Sequence, residues 1–133
     1  MIELTKDNFE EEVLKAEGKV FVDFYGDGCV PCAALMPTVH KYAEEFADSG
    51  LKFCALNTTK ARRLAIAQKV MGLPVIAIYE GGAMIDSLVK DDATPENVEA
   101  MIKKYCESNT ESTFSLGRRL QNPTFTIEGA ALL

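Results

Sequence analysis

Long apolar runs are missing from this chain. The longest stretches, such as Val75-Ile76-Ala77-Ile78, are far too short to cross a bilayer. The N-terminus, Met1-Ile2-Glu3-Leu4-Thr5, has no basic segment followed by an apolar stretch and a small-residue cleavage site. No secretory leader is therefore expected, and the cytoplasm is the expected compartment. Cysteine is scarce, with four in 133 residues, which is too few for a disulfide-stapled mini-protein. Basic residues are outnumbered, 14 against 20 acidic, and the net charge of −6 predicts a chain that repels nucleic acid and anionic membrane. The close basic pairs Arg62-Arg63, Lys103-Lys104 and Arg118-Arg119 read as solvated faces.

What is present is material for one soluble domain. Hydrophobic residues make up 47% and charged residues 26%, so most of the chain is expected to fold, and its length allows a real core. Residues 2–4 read as a short edge strand. Thr5 is placed to cap a helix carrying Phe9, Val13 and Leu14, which Gly18 ends. Val20 to Tyr25 is a nearly continuous apolar run of β-branched and aromatic residues, the pattern of a strand buried on both faces. Gly26-Asp27-Gly28 breaks it. A long helix is expected from Cys29 to Ala47, with Pro37 inside and Leu35, Val39, Tyr42 and Phe46 at helical spacing. A strand over 51–57 and a helix over 61–70 with Leu64, Ala67 and Val70 inward come next. Val75–Tyr79 and Met84–Val89 then pair as a hairpin around Glu80-Gly81-Gly82. Thr94-Pro95 starts a last helix that buries Val98, Met101, Ile102 and Tyr105. The order β-α-β-α-β-α-β-β-α begins as a parallel βαβ unit. After Tyr105 the periodicity is lost. Residues 107–133 read as a flexible tail or as sequence foreign to the native gene, or, through Phe125-Thr126-Ile127, as a strand added to a sheet edge.

The chemistry concentrates at Cys29-Val30-Pro31-Cys32, which follows a buried strand and opens a helix. Free N–H groups at a helix start stabilise a thiolate, and a thiolate is the attacking species in disulfide exchange. The second cysteine, one turn on, lies within reach to resolve a mixed disulfide. Pro31 fits the first helical turn, and Gly26 and Gly28 keep the approach open. A structural zinc site needs four ligands, and the remaining candidates, His40, Cys54 and Cys106, are isolated, so no metal is expected. Asp23 sits in the middle of the apolar strand. A buried, unpaired carboxylate has a raised pKa, which suits it to exchange a proton with Cys32 near neutral pH. Pro74, in Gly72-Leu73-Pro74 before a core strand, is compatible with a cis bond, although a trans proline is the commoner state. Cys54 reads as a core residue. Cys106 closes the last helix, where exposure would allow a regulatory or intermolecular disulfide.

These pieces together resemble the thioredoxin family. The residues that carry the resemblance are Val22-Asp23-Phe24-Tyr25, Cys29-Val30-Pro31-Cys32, Pro37, Asn57, Gly72-Leu73-Pro74 and Glu80-Gly81-Gly82, in matching order over residues 1–106. The resemblance implies an α/β thioredoxin fold, a five-stranded mixed sheet flanked by four helices. It implies Cys29 as the exposed nucleophile, Cys32 as the buried resolver and Asp23 as the proton carrier. Pro74 would be cis, and Gly28, Val30, Pro31 and Leu73 would meet an extended substrate. No bound cofactor is implied beyond the Cys29–Cys32 couple. The implied partners are a thioredoxin reductase and disulfide-containing proteins, met by a monomer. Three departures stand out. The usual Trp-Cys-Gly-Pro-Cys is Gly28-Cys29-Val30-Pro31-Cys32, in a chain without tryptophan. The lysine that often accompanies the buried aspartate is Ala55. The glycine-containing loop near Pro74 reads Val89-Lys90-Asp91-Asp92, whose two acids should disfavour acidic partners. The variant site is similar to that of thioredoxins from amino-acid-fermenting anaerobes, which work with glycine reductase and a dedicated reductase.

The function expected is general protein-disulfide reduction. Val30 and Pro31 add no positive charge between the cysteines, so a strongly oxidising couple is not expected. An oxidase or isomerase is the alternative within the same chemistry. A binding or assembly module with an idle dithiol is the alternative outside it.

Overall fold

The computed structural model describes residues 1–111, with side chains described through Cys106. Contacts divide the chain after Ala100, and residues 1–100 contain the whole sheet. Five strands, β1 (Ile2–Leu4), β2 (Lys19–Tyr25), β3 (Lys52–Asn57), β4 (Val75–Glu80) and β5 (Ala83–Val89), lie in the order β1-β3-β2-β4-β5. β1, β3 and β2 are parallel, and β4 runs antiparallel to both β2 and β5. The helices are α1 (Val30–Glu45), α2 (Arg62–Ala67), α3 (Pro95–Glu111) and a π-helical turn at Glu10–Leu14. Short 3-10 turns at Thr58–Lys60 and Lys90–Asp92 complete the described elements, and with the four longer helical segments this is the expected mixed sheet.

The apolar run in β2 becomes the central strand, and residues Val20 to Phe24 are all buried. Its alternation sorts them onto two faces. Val20, Val22 and Phe24 enter a cluster with Phe9 and Val13 of the N-terminal segment, Ala61 and Ala65 of the α2 segment, and Tyr79 of β4. Phe9 meets Phe24 at 6.5 Å between ring centroids and Tyr79 edge-on at 5.9 Å. The buried residues of α1, Cys32, Leu35 and Val39, are outside this cluster, while α1 packs on β2. α1 therefore covers the opposite face, the one carrying Phe21 and Asp23. β5 alternates exposed and half-buried positions, as an edge strand does. Gly81 and Gly82, at φ of +64° and +83°, form the two-residue hairpin loop whose geometry requires positive φ twice.

Local differences from the expected elements have physical causes. Thr5 and Asn8 cap the N-terminal segment reciprocally, Thr5 Oγ1 accepting from Asn8 N–H at 3.2 Å and Asn8 Oδ1 from Thr5 N–H at 2.6 Å. The turn that follows closes through Lys15 N–H to Glu10 O at 2.8 Å, one residue wider than an α-turn. α2 stops at Ala67, short of Val70. Lys69 adopts φ +64°, and its N–H and that of Val70 donate back to Ile66 O and Ala65 O. This is a Schellman stop with lysine where glycine is usual. Ala67 is consequently exposed, and Ala61 and Ala65, with half-buried Leu64, form the inward face. α3 begins as expected, Asn97 N–H donating to Thr94 Oγ1 at 3.2 Å, but continues past Cys106 to Glu111. Tyr105 is half-buried. The rest of the expected tail, including Phe125-Thr126-Ile127, lies outside the described residues. Among the described residues no helix is long and apolar enough to cross a membrane.

Phe9 is 1% exposed and joins three elements of the cluster. Phe9→Ala is expected to destabilise the fold by roughly 3–5 kcal/mol in chemical denaturation. A loss below about 1 kcal/mol would show that the cluster does not depend on this ring.

Candidate active site

The carboxyl end of β2 delivers the chain to the start of α1 through Gly26-Asp27-Gly28. Gly28 has φ +76°, a conformation glycine adopts without strain. Gly26 is glycine for space, since a Cβ there would stand 2.9 Å from Leu73 Cδ1 and 3.2 Å from Thr59 Oγ1. Cys29 is the N-cap of α1, and its Sγ accepts a hydrogen bond from Cys32 N–H at 3.2 Å. Pro31 lies in the first turn, where no N–H is needed, and that turn contains no acid. The helix dipole thus presents its positive end to Cys29 sulfur. Cys29 and Cys32 form a disulfide with their Cα atoms 5.2 Å apart. Cys29 is half-buried, Cys32 is only 3% exposed, and Val30 between them is 77% exposed. Cys29 is thus the more accessible residue of the pair and Cys32 the shielded one. A groove of about 710 Å³ runs past them, lined by Gly28, Cys29, Val30, Cys32, Met36 and His40 among others.

The loop is held from the side by the end of β3. Asn57 Nδ2 donates to Asp27 Oδ1 at 3.0 Å, Thr58 Oγ1 to Tyr25 O at 2.9 Å, and Asp27 N–H to Thr59 Oγ1 at 2.9 Å. Asn57 also caps its own turn by accepting from Thr59 N–H at 3.0 Å. Asp27, Thr58 and Thr59 were not singled out from the sequence. The signal was a polar Asn-Thr-Thr run at the carboxyl end of a buried strand, the edge where α/β sheets place their sites. The Leu73–Pro74 bond is cis, and Pro74 is buried while Leu73 leans on Gly26. The structure thus brings Gly28, Cys29, Val30, Pro31, Cys32 and Leu73-Pro74 to one edge.

Asp23 is 2% exposed and stands in register with Ala55 of β3 and Ile76 of β4, neither of which offers a countercharge. Burial, reinforced by the Glu3 carboxylate, lifts its pKa from the ordinary 3.8 to about 7. It lies on the face of β2 that α1 covers, the helix that carries Cys32. Glu3 itself accepts from Tyr25 Oη at 2.7 Å. Cys54 is buried, and burial raises its thiol to about 11, so it stays protonated. Cys106, 7% exposed, is buried as well, which removes the accessible thiol that a bridge through it would need. His40 is exposed, and among the described residues no cluster of three or more His, Cys, Asp or Glu could hold a metal ion.

The thioredoxin family model matches residues 1–104. The chain is 56% identical over 105 residues to a thioredoxin of Acetoanaerobium sticklandii, covering 79% of this chain and 99% of that protein. It is 51% identical over 105 residues to a thioredoxin of Peptoclostridium acidaminophilum, covering 79% and 94%. A thioredoxin of Pseudomonas aeruginosa is 30% identical over 82 residues, covering 62% and 75%.

The buried carboxyl fixes the sign of a stability profile. A folded pKa near 7 means that the folded state holds this proton more tightly than the unfolded one. Stability from this group is therefore complete below about pH 4 and is lost as pH rises to about 7. Asp23→Asn is expected to be more stable than the wild type by roughly 3–4 kcal/mol at pH 8, with the gap closing below pH 4. Denaturation midpoints at the two pH values check this, and an equal gap at both would contradict it.

Proposed function

The chain belongs to the thioredoxin family, and on that premise we propose how its dithiol works. It is a thiol–disulfide oxidoreductase acting as a protein-disulfide reductase, with a thioredoxin reductase as the family's electron donor. The observation that carries the proposed mechanism is the asymmetric cysteine pair at the N-terminus of α1, Cys29 the more accessible residue and Cys32 the shielded one.

In the reduced protein the Cys29 thiolate attacks one sulfur of a partner disulfide. That S–S bond breaks, the partner's other sulfur leaves as a thiolate and takes a proton, and Cys29 holds the partner in a mixed disulfide. Cys32 then loses its proton to the Asp23 carboxylate and attacks Cys29 Sγ. The mixed disulfide breaks, the second partner sulfur leaves as a thiolate and takes up a proton, and the Cys29–Cys32 disulfide forms. Two electrons have passed to the partner. The raised Asp23 pKa matches a carboxyl that takes and returns a proton near neutrality. Gly28, Val30 and Pro31 border Cys29, and Leu73 offers its backbone to an extended substrate beside the cis bond. The reaction belongs to a domain of residues 1–106 acting as a monomer. A cytoplasmic setting is supported by two thiols, Cys54 and Cys106, that remain unpaired. The Gly-Cys-Val-Pro-Cys site favours a reductase selective for this variant, and glycine reductase components among the partners.

Equilibration against dithiothreitol is expected to give a potential below about −230 mV, with Cys29→Ser abolishing the couple. A value above about −200 mV would make the protein an oxidant or isomerase, and an unaltered Cys29→Ser activity would make it a binding module.

Resolution of the mixed disulfide by Cys32 is expected to accelerate as pH rises through about 7, where Asp23 deprotonates. Asp23→Asn should slow that step roughly 100-fold at neutral pH and flatten the profile. A rapid-quench profile identical to that of wild type would remove Asp23 from the mechanism.

A further inference from the structure

The loop Gly72-Leu73-Pro74 is bordered by two further grooves, of about 310 Å³ and about 260 Å³, which share Met71 and Gly72. Their walls combine apolar surface with positive charge. Met71 is 82% exposed and Ile66 is 64% exposed. Arg62 lines the first groove, Lys69 and Lys90 line the second, and no acidic residue lines either. In a chain of net charge −6 this is a local inversion of sign. None of the three cations forms an ion pair among the described residues.

Two of the cations stand on left-handed backbone. Lys69 is the left-handed stop of α2. Lys90 is left-handed at φ +54°, its N–H donating to Pro74 O at 2.8 Å. A Cβ at Gly72 would overlap Lys90 Cε and stand 3.1 Å from Cγ and Cδ, so the lysine stem lies across the glycine. Of Lys90, Asp91 and Asp92, only Lys90 lines a groove. From Lys90 the contacts run through Gly72 and Leu73 to Gly26, whose carbonyl accepts from Cys29 N–H at 3.3 Å.

We propose that Arg62, Lys69 and Lys90, set around exposed Ile66 and Met71, form a docking surface that selects disulfide partners carrying acidic and apolar residues beside the target bond. Charge complementarity names the occupant, because unpaired cations in an acid-free groove attract carboxylates and repel basic segments. This rests on the reductase reading above.

The test uses two synthetic peptides, each with one disulfide and the same apolar residues, flanked by Asp in one and by Lys in the other. Wild-type protein is expected to reduce the acidic peptide with a kcat/KM at least about tenfold higher, each exposed cation contributing a few-fold. The difference should reside in KM and fade at about 0.5 M salt. Combined Arg62→Glu, Lys69→Glu and Lys90→Glu should invert the preference. If that variant fails to fold, the salt dependence of the wild type decides. Equal reduction of both peptides, a preference indifferent to salt, or inhibition by a DNA oligonucleotide matching that by an unreactive acidic peptide would overturn the surface and leave the reductase standing. Reduction of neither peptide by wild type would overturn both.

Discussion

The site depends on the desolvation of β2. A strand buried on both faces places its side chains in two environments with no solvent exit, and this one uses both. On one face Val20, Val22 and Phe24 anchor the aromatic cluster around Phe9. On the other, the same burial forces a carboxylate out of water and raises its proton affinity. The strand's rigidity also fixes where the loop after Tyr25 must leave, and hence where α1 begins. Stability and proton chemistry draw on one structural cause: the packing that holds the strand is also what makes Asp23 costly to ionise.

A second layer holds the loop without covering it. Three hydrogen bonds from the Asn57-Thr58-Thr59 corner reach the backbone or side chains of Tyr25 and Asp27. They constrain the approach to Cys29 from the parallel side of the sheet, and Leu73 constrains it from the other through Gly26. Cys29, which must be reached, stays the more accessible of the pair because its supports act on the residues before it. The sulfur that must be protected is inside the first turn of α1.

Much of this was legible in the residues. Period and punctuation identified the strands, the hairpin at Gly81-Gly82 and the cap at Thr94, because each is written locally. The cysteine pair and Asp23 were legible because each violates its surroundings: two thiols at helix-turn spacing and a charge inside an apolar run. The end of α2 was not, since its stop is Lys69 in a glycine's conformation and no residue type announces that. The burial of Cys106 was missed because α3 runs on to Glu111, so that the expected helix end lies inside the helix. Which side chain of Lys90-Asp91-Asp92 lines the groove beside Met71 and Gly72 was not legible either: it is Lys90, and neither aspartate lines it.

Gly72 and Lys90 have a consequence for how this face can diversify. The atoms that would obstruct a side chain at position 72 belong to the outer part of a flexible lysine, not to backbone. A methyl group there would push the stem aside and relocate the ammonium while sparing the sheet beneath. The electrostatic character of the face is therefore adjustable from a position that carries no charge. A lineage changing partners could retune it by a neutral substitution, keeping every acid and base in its sequence, so an inventory of charged residues would record no change at all.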